Sequence, residues 1–144
     1  ASVELLRARI DDAIADYIAR MPDDTAHPLY KRRRGAFAYA ASWSSRLRDC
    51  GFHTNHVHPK GWISSAYYVA LPEVVENADA KEGWIKFGEP NLPCGIASAV
   101  RRTVQPRVGR LVLFPSYMWH GTIPFHSAQP RTGIAFDVTP KAEA

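Results

Sequence analysis

Beyond Gly35 the chain is cut every several residues by proline or glycine, and the pieces between are short and rich in aromatic and β-branched residues. That punctuation constrains the fold more than anything else in the sequence. Long helices do not tolerate such interruptions, whereas short strands bounded by turns require them. The candidate strands are 36–41, with 43–47 continuing it as strand or as a short helix, then 53–58, 63–71, 84–87, 100–105, 110–114 and 132–138. Segment 73–82, with Asn77, Asp79 and Lys81, reads as a solvated loop. No internal repeat or low-complexity segment is present.

Only the first residues follow another period. Between 2 and 21, Leu6, Ile10, Ala13, Ile14, Tyr17 and Ile18 recur at steps of three and four, while Arg7, Asp11, Asp12, Asp16 and Arg20 fall elsewhere. This is the pattern of an amphipathic helix, ended by Pro22 and the Asp23-Asp24 pair. A polar stretch then runs to Gly35. One helix followed by several short strands predicts an antiparallel sandwich or barrel whose open end can hold a ligand. A length of 144 residues with 46% hydrophobic content suits one domain, the helix in 1–22 and the β core in 36–140.

Charge and cysteine content exclude several function classes. The net charge of +4 is largely local to Lys31-Arg32-Arg33-Arg34, too little to imply nucleic acid. That run reads as a solvated charged face. No apolar run approaches the roughly 20 residues of a membrane span, and no charged-then-apolar signal pattern opens the chain. Cys50 and Cys94 are far apart and form no Cys-x-x-Cys pair, so neither a disulfide framework nor a thiolate zinc site is expected. A reducing, cytoplasmic setting without membrane contact is the expectation. Exposed strands at a sandwich edge leave room for a homodimer.

The six histidines are clustered. His53, His56 and His58 fall within six residues, and His120 and His126 within seven. On an extended strand His56 and His58 would emerge from the same face about 7 Å apart, near enough to converge on one ion. Taken alone, this pair is as readily a surface or core feature. Downstream, the apolar run 110–114 ends at Pro115 and delivers His120 just beyond it, and Arg131 opens the next strand. A guanidinium is a permanent, two-pronged donor suited to a carboxylate.

Taken in order, three motifs resemble a known family. They are His56-Val-His58-Pro59-Lys-Gly61-Trp-Ile-Ser64-Ser-Ala-Tyr67-Tyr68-Val-Ala-Leu-Pro72, then Gly109-x-Leu-Val-Leu-Phe-Pro-Ser with Trp119-His120-Gly121-Thr-x-Pro124, then Arg131-x-x-x-Ala-Phe136. They are similar to those of the 2-oxoglutarate and Fe(II)-dependent oxygenases often found beside tetratricopeptide repeats. The resemblance runs from about Trp43 to Pro140. It implies a mainly β double-stranded β-helix, the cupin-like jelly roll, behind an N-terminal α-helix. It further implies Fe(II) held by His56 and His120, with Arg131 gripping the distal carboxylate of 2-oxoglutarate as cosubstrate, and an oxidoreductase that hydroxylates a C–H bond.

This sequence departs from the wider pattern twice. His58 stands where most such oxygenases carry Asp or Glu. Three outcomes are open: His58 completes a three-histidine site; it stands behind the metal while water fills the position; or a distant carboxylate, with Glu73 nearest downstream, completes the triad. The first is favoured, although Zn(II) or Ni(II) would also suit three imidazoles. The second departure is Gly133, where a hydroxyl residue two positions after the arginine often helps bind the oxo acid. Tyr67 or Tyr68 can compensate, but only one of them can face the barrel interior.

His53 and His126 read as structural or solvated rather than ligating, and Trp43, Trp62, Trp84 and Trp119 as core or rim packing, with Trp62 and Trp119 flanking the site. Two further functional classes stand beside the oxygenase. One is a cupin-like three-histidine dioxygenase or isomerase that uses no oxo acid; the other is a non-catalytic jelly-roll binding module. Substrate-choosing loops carry no transferable code, so no substrate is read from them.

Overall fold

A computed structural model describes residues 2–92 and 98–141. Cys94 lies outside the described residues. The chain is a two-sheet antiparallel β structure, jelly-roll-like, with one long helix at its N-terminus. Helix α1 (Ser2–Ala19) presents Ile10, Ile14 and Ile18, one turn apart, to the protein. They pack with Met21, Leu29, Trp62, Ile63, Phe136 and Val138 in one cluster. Each isoleucine buried there contributes about 1.5–3 kcal/mol. Two polar bonds fix how the helix sits: the Tyr39 hydroxyl donates to Asp11 Oδ1 at 2.5 Å, and Trp62 Nε1 donates to the Leu29 carbonyl at 2.9 Å.

The sheet beneath the helix contains β1 (Phe37–Leu47), β2 (Ile63–Ala70), β5 (Leu111–Pro115) and β7 (Arg131–Pro140) in the order β1-β7-β2-β5. The second sheet is short, β4-β3-β6, with β3 at Ile85–Phe87, β4 at Arg102–Val104 and β6 at His120–Thr122. Strand register assigns the faces. Ile63 pairs with Val138, and Tyr67 with Ile134 and Leu111, on the face turned toward α1. Ser64 pairs with Asp137 and Phe114, Tyr68 with Gly133, and Trp43 with Ala135, on the face turned toward the second sheet. Ile85, Phe87 and Phe114, with Ala66, Val104 and Val112, form the packing between the sheets.

Two expectations are corrected, one strand is added and one open alternative is decided. Segment 53–58 is not a strand: a single bridge joins His56 to His120, and the His58 amide instead donates to Ser116. Pro59 has no amide to extend a ladder, and the Gly61 amide folds back to His58. β6 was absent from the expected strands because three residues including glycine carry no alternation. Residues 43–47 continue β1 as strand, past a register shift between Tyr39 and Ala41. Segment 73–82 is not merely solvated: Glu73–Glu76 is a 3₁₀ turn that buries Val75, whose carbonyl accepts from Trp84 Nε1 at 2.8 Å. A second such turn, Tyr30–Arg32, lies in the polar stretch. Among the described residues no helix is long and apolar enough to cross a membrane.

Candidate metal and oxo-acid site

At one end of the space between the sheets is a cavity of about 70 Å³, whose walls include Trp43, His56, His58, Tyr68, His120 and Arg131. By that measure it has room for several waters, the scale of a small acid. β6 brings His120 into the cavity wall, and the bridge to His120 brings His56 beside it. That bridge needs Gly121. A Cβ there would lie 2.3 Å from Asn55 Oδ1 and 2.9 Å from the His53 carbonyl, so only glycine lets the two segments touch.

The histidine rings meet closely. His56 Nε2 lies 3.0 Å from His58 Nε2, and the His120 ring centroid is 4.3 Å from that of His56 and 5.2 Å from that of His58. Their outer nitrogens determine what the inner ones are. His56 Nδ1 faces the Thr54 carbonyl at 2.7 Å, His120 Nδ1 the Met118 carbonyl at 2.9 Å, and His58 Nδ1 the Asp137 carboxylate at 2.6 Å. A carbonyl or carboxylate only accepts, so each Nδ1 carries the hydrogen. Each ring then turns its Nε2 toward the other two, and the three candidate ligand atoms lie within 4.8 Å of one another. Two lone pairs 3.0 Å apart are spaced as neighbouring ligands about 2.1 Å from one ion, and without a cation or a proton they repel.

Burial keeps the innermost ring, His120, neutral. Burial lowers the His120 pKa to about 4, with the Met118 carbonyl working the other way and the facing histidines reinforcing the drop. Burial would raise Asp137, but hydrogen bonds from His58 and Ser64 outweigh it and hold the carboxyl below its usual range. Ser64 donates to Asp137 Oδ1 at 2.6 Å and must therefore accept from Ser116, 2.8 Å away. The result is a three-nitrogen donor set with one buried negative charge directly behind it.

The cavity also holds a buried cation. Arg131, 4% exposed, donates Nε to the Gly83 carbonyl at 3.0 Å and stacks its guanidinium 5.1 Å from the Tyr68 ring centroid. Gly83 has φ +72°, a conformation that suits glycine, and this places its carbonyl. No carboxylate among the described residues pairs with Arg131. The Tyr68 hydroxyl is buried without a hydrogen-bond partner among them. A buried guanidinium with no carboxylate partner, beside a phenol whose polar neighbour is that guanidinium itself, fits an anionic ligand group. The donor set and this anion cradle together fit a metal and a small oxo diacid.

The other candidates fall as follows. Both tyrosines line the cavity, but register puts the Tyr68 side chain on its face of the sheet and that of Tyr67 on the opposite one. Glu73 is exposed, its amide bonded to Gln129 Oε1, and it does not line the cavity. His53 lies in the cavity wall, bonded to Thr122 Oγ1 at 3.0 Å, with burial and then the Arg131 charge lowering its pKa to about 4. His126 is solvated and outside the cavity. Trp43 stacks on His58, ring centroids 5.5 Å apart. Sequence reasoning missed Asp137 and Ser45. Ser45 pairs with Gly133 across β1–β7, so Ser45 and Tyr68 flank the bare Gly133 on the cavity face. The hydroxyls lacking at 133 are thus present one strand away on either side.

A structure of an oxidoreductase of the 2OG-Fe(II) oxygenase family from Burkholderia pseudomallei superposes with TM-score 0.53 at 13% identity, covering 74% of this chain and 46% of that one. This chain therefore spans under half of that protein's length, and the likeness is one of fold. KdgF from Halomonas sp. aligns with TM-score 0.38 at 11% identity, over 74% of this chain and 80% of that one. No curated protein matches the sequence. The model of the family described as "Putative 2OG-Fe(II) oxygenase" matches residues 41–137, the greater part of the chain, and the protein belongs to that family.

Proposed function

We propose that the chain forms one oxygenase domain using Fe(II) and 2-oxoglutarate, with His56, His58 and His120 holding the metal and Arg131 and Tyr68 holding the oxo acid. One observation carries this reading: a single cavity joins three converging imidazole lone pairs to a buried guanidinium with no carboxylate partner. When bound, iron and the oxo acid supply oxidation: dioxygen, 2-oxoglutarate and a substrate C–H become succinate, carbon dioxide and C–OH.

The chain's own residues do the positioning. Asp137 accepts a hydrogen bond from His58 Nδ1, fixes the tautomer and lends negative charge to a donor set that lacks a ligating carboxylate. Arg131 neutralises the far carboxylate of the acid, with the Tyr68 hydroxyl donating beside it. Phe114 packs against His120, ring centroids 4.6 Å apart, and keeps water from that side. The test is anaerobic addition of Fe(II) and 2-oxoglutarate. A weak visible charge-transfer band and 2-oxoglutarate-dependent succinate release on admitting oxygen are expected; absence of both overturns the proposal.

The all-imidazole donor set favours one second reading, a three-histidine metal enzyme in which Arg131 binds a substrate carboxylate directly. Iron-dependent oxygen uptake indifferent to 2-oxoglutarate distinguishes it.

A further inference from the structure

Cys50 meets an imidazole that stands 76 positions further along the chain. The turn after β1 places Cys50 in the left-handed region, φ +59°, where a side chain is crowded. Backbone bonds hold that turn against the connection leading to β7. The Cys50 amide donates to the Phe125 carbonyl at 2.9 Å, the Ser127 amide to Asp49 Oδ1 at 3.0 Å, and the His126 amide to Glu82 Oε1 at 3.0 Å. Three donors of different kinds are thereby gathered at the surface. Cys50 Sγ lies 3.4 Å from His126 Nδ1 and 3.7 Å from Asp49 Oδ2, and His126 Nδ1 lies 3.6 Å from Asp49 Oδ1.

Two chemistries use a thiol, an imidazole and a carboxylate: a nucleophile with its base, and a metal site. In the first the carboxylate orients one ring nitrogen while the other meets the thiol. Here thiol and carboxylate both face Nδ1, so no relay exists. The thiol is also the opposite of activated, since partial desolvation and the Asp49 charge push its pKa up. In a metal site one atom of each residue faces a common point, and here Cys50 Sγ, a His126 ring nitrogen and an Asp49 carboxylate oxygen all lie within 4.8 Å of one another. Ligands about 2.0–2.3 Å from a tetrahedral ion sit roughly 3.3–3.6 Å from each other. The observed separations lie close to that range, wider than the 3.0 Å between His56 and His58. Sulfur among the donors selects a thiophilic ion over calcium or magnesium.

We propose that Asp49, Cys50 and His126 form a second metal site for a thiophilic divalent cation of the zinc class, three protein ligands with the solvent side open. It is separate from the imidazole cavity and stands whether or not that cavity is an oxygenase site. An ion here ties the end of β1 to the connection that leads to Arg131.

Cobalt(II) titration of the whole chain tests it. Cobalt bound by a thiolate gives an intense near-ultraviolet charge-transfer band that an all-imidazole site cannot give. The wild type should show the band, and zinc should displace it. Cys50→Ser should abolish it, His126→Ala should weaken cobalt binding about tenfold or more, and His56→Ala, which dismantles the imidazole set, should leave it intact. No band in the wild type, a band that persists in Cys50→Ser, or a band lost with His56→Ala would each overturn the proposal. All three positions are solvated or partly so, and unchanged circular dichroism confirms that each variant is folded.

Discussion

Asp137 does for His58 what backbone carbonyls do for His56 and His120: it occupies the outer nitrogen so that the inner one is left as a lone pair. Unlike a carbonyl, it can be removed by mutation. Asp137→Ala should lower the affinity for Fe(II) or Co(II) by about 10–100-fold, measured by competition with a chelator. It also removes the buried acceptor of both Ser64 and His58, and urea unfolding of the metal-free protein should register a loss of about 1–3 kcal/mol. At this scale the candidate ligands were legible because histidine is scarce and chemically distinctive. Asp137 was not, because its meaning depends on a partner 79 positions away with no spacing to betray it. Glu73, the carboxylate nearest in sequence, points nowhere near the cavity, whereas the one that matters lies on the strand that Arg131 opens.

The elements differ in how much of themselves they show. α1 was legible because Ile10, Ile14 and Ile18 repeat over several turns against a charged remainder. β6 and the segment facing it were not, because their pairing is a single bridge between backbones, set by the absence of a side chain at Gly121. Gly121→Ala tests that contact. A Cβ 2.9 Å from the His53 carbonyl cannot be relieved by rotating a side chain, so segment 53–56 must back away from β6. The expected cost is about 1–3 kcal/mol in urea unfolding, together with a disproportionate loss of metal affinity as His56 leaves His120. Gly35→Ala, where nothing lies within 4 Å, serves as the control and should change neither.

For the molecule as a whole, the buried histidines make stability depend on pH. His120 and His53 have folded pKa values of about 4, below the ordinary value of 6.5. Between those two values the unfolded chain takes up protons that the folded one refuses, so stability falls as pH drops from 6.5 toward 4 and levels off below. Allowing for remaining solvent access, His120 contributes on the order of 2 kcal/mol of this fall and the more exposed His53 less. Asp137, whose folded pKa is depressed, adds a further loss as pH falls through that value. Urea midpoints of the metal-free protein from pH 7.5 to 4 should trace this decline; a flat profile would show that the cavity is wetter than its geometry indicates. The two-sheet class was legible from punctuation alone, but not the arrangement by which β7 sits between β1 and β2 with one face on the helix and the other on the cavity.

Trp43 is 38% exposed at the cavity rim, yet its ring lies nearly parallel to that of His58, 20° apart. An indole in that position emits light whose intensity depends on the imidazole it covers. A paramagnetic ion or a proton arriving at His58 should dim the emission, and Trp43→Phe should remove that response while Trp62, Trp84 and Trp119 continue to fluoresce. The cavity thus carries its own optical indicator, and occupancy can be followed without a label.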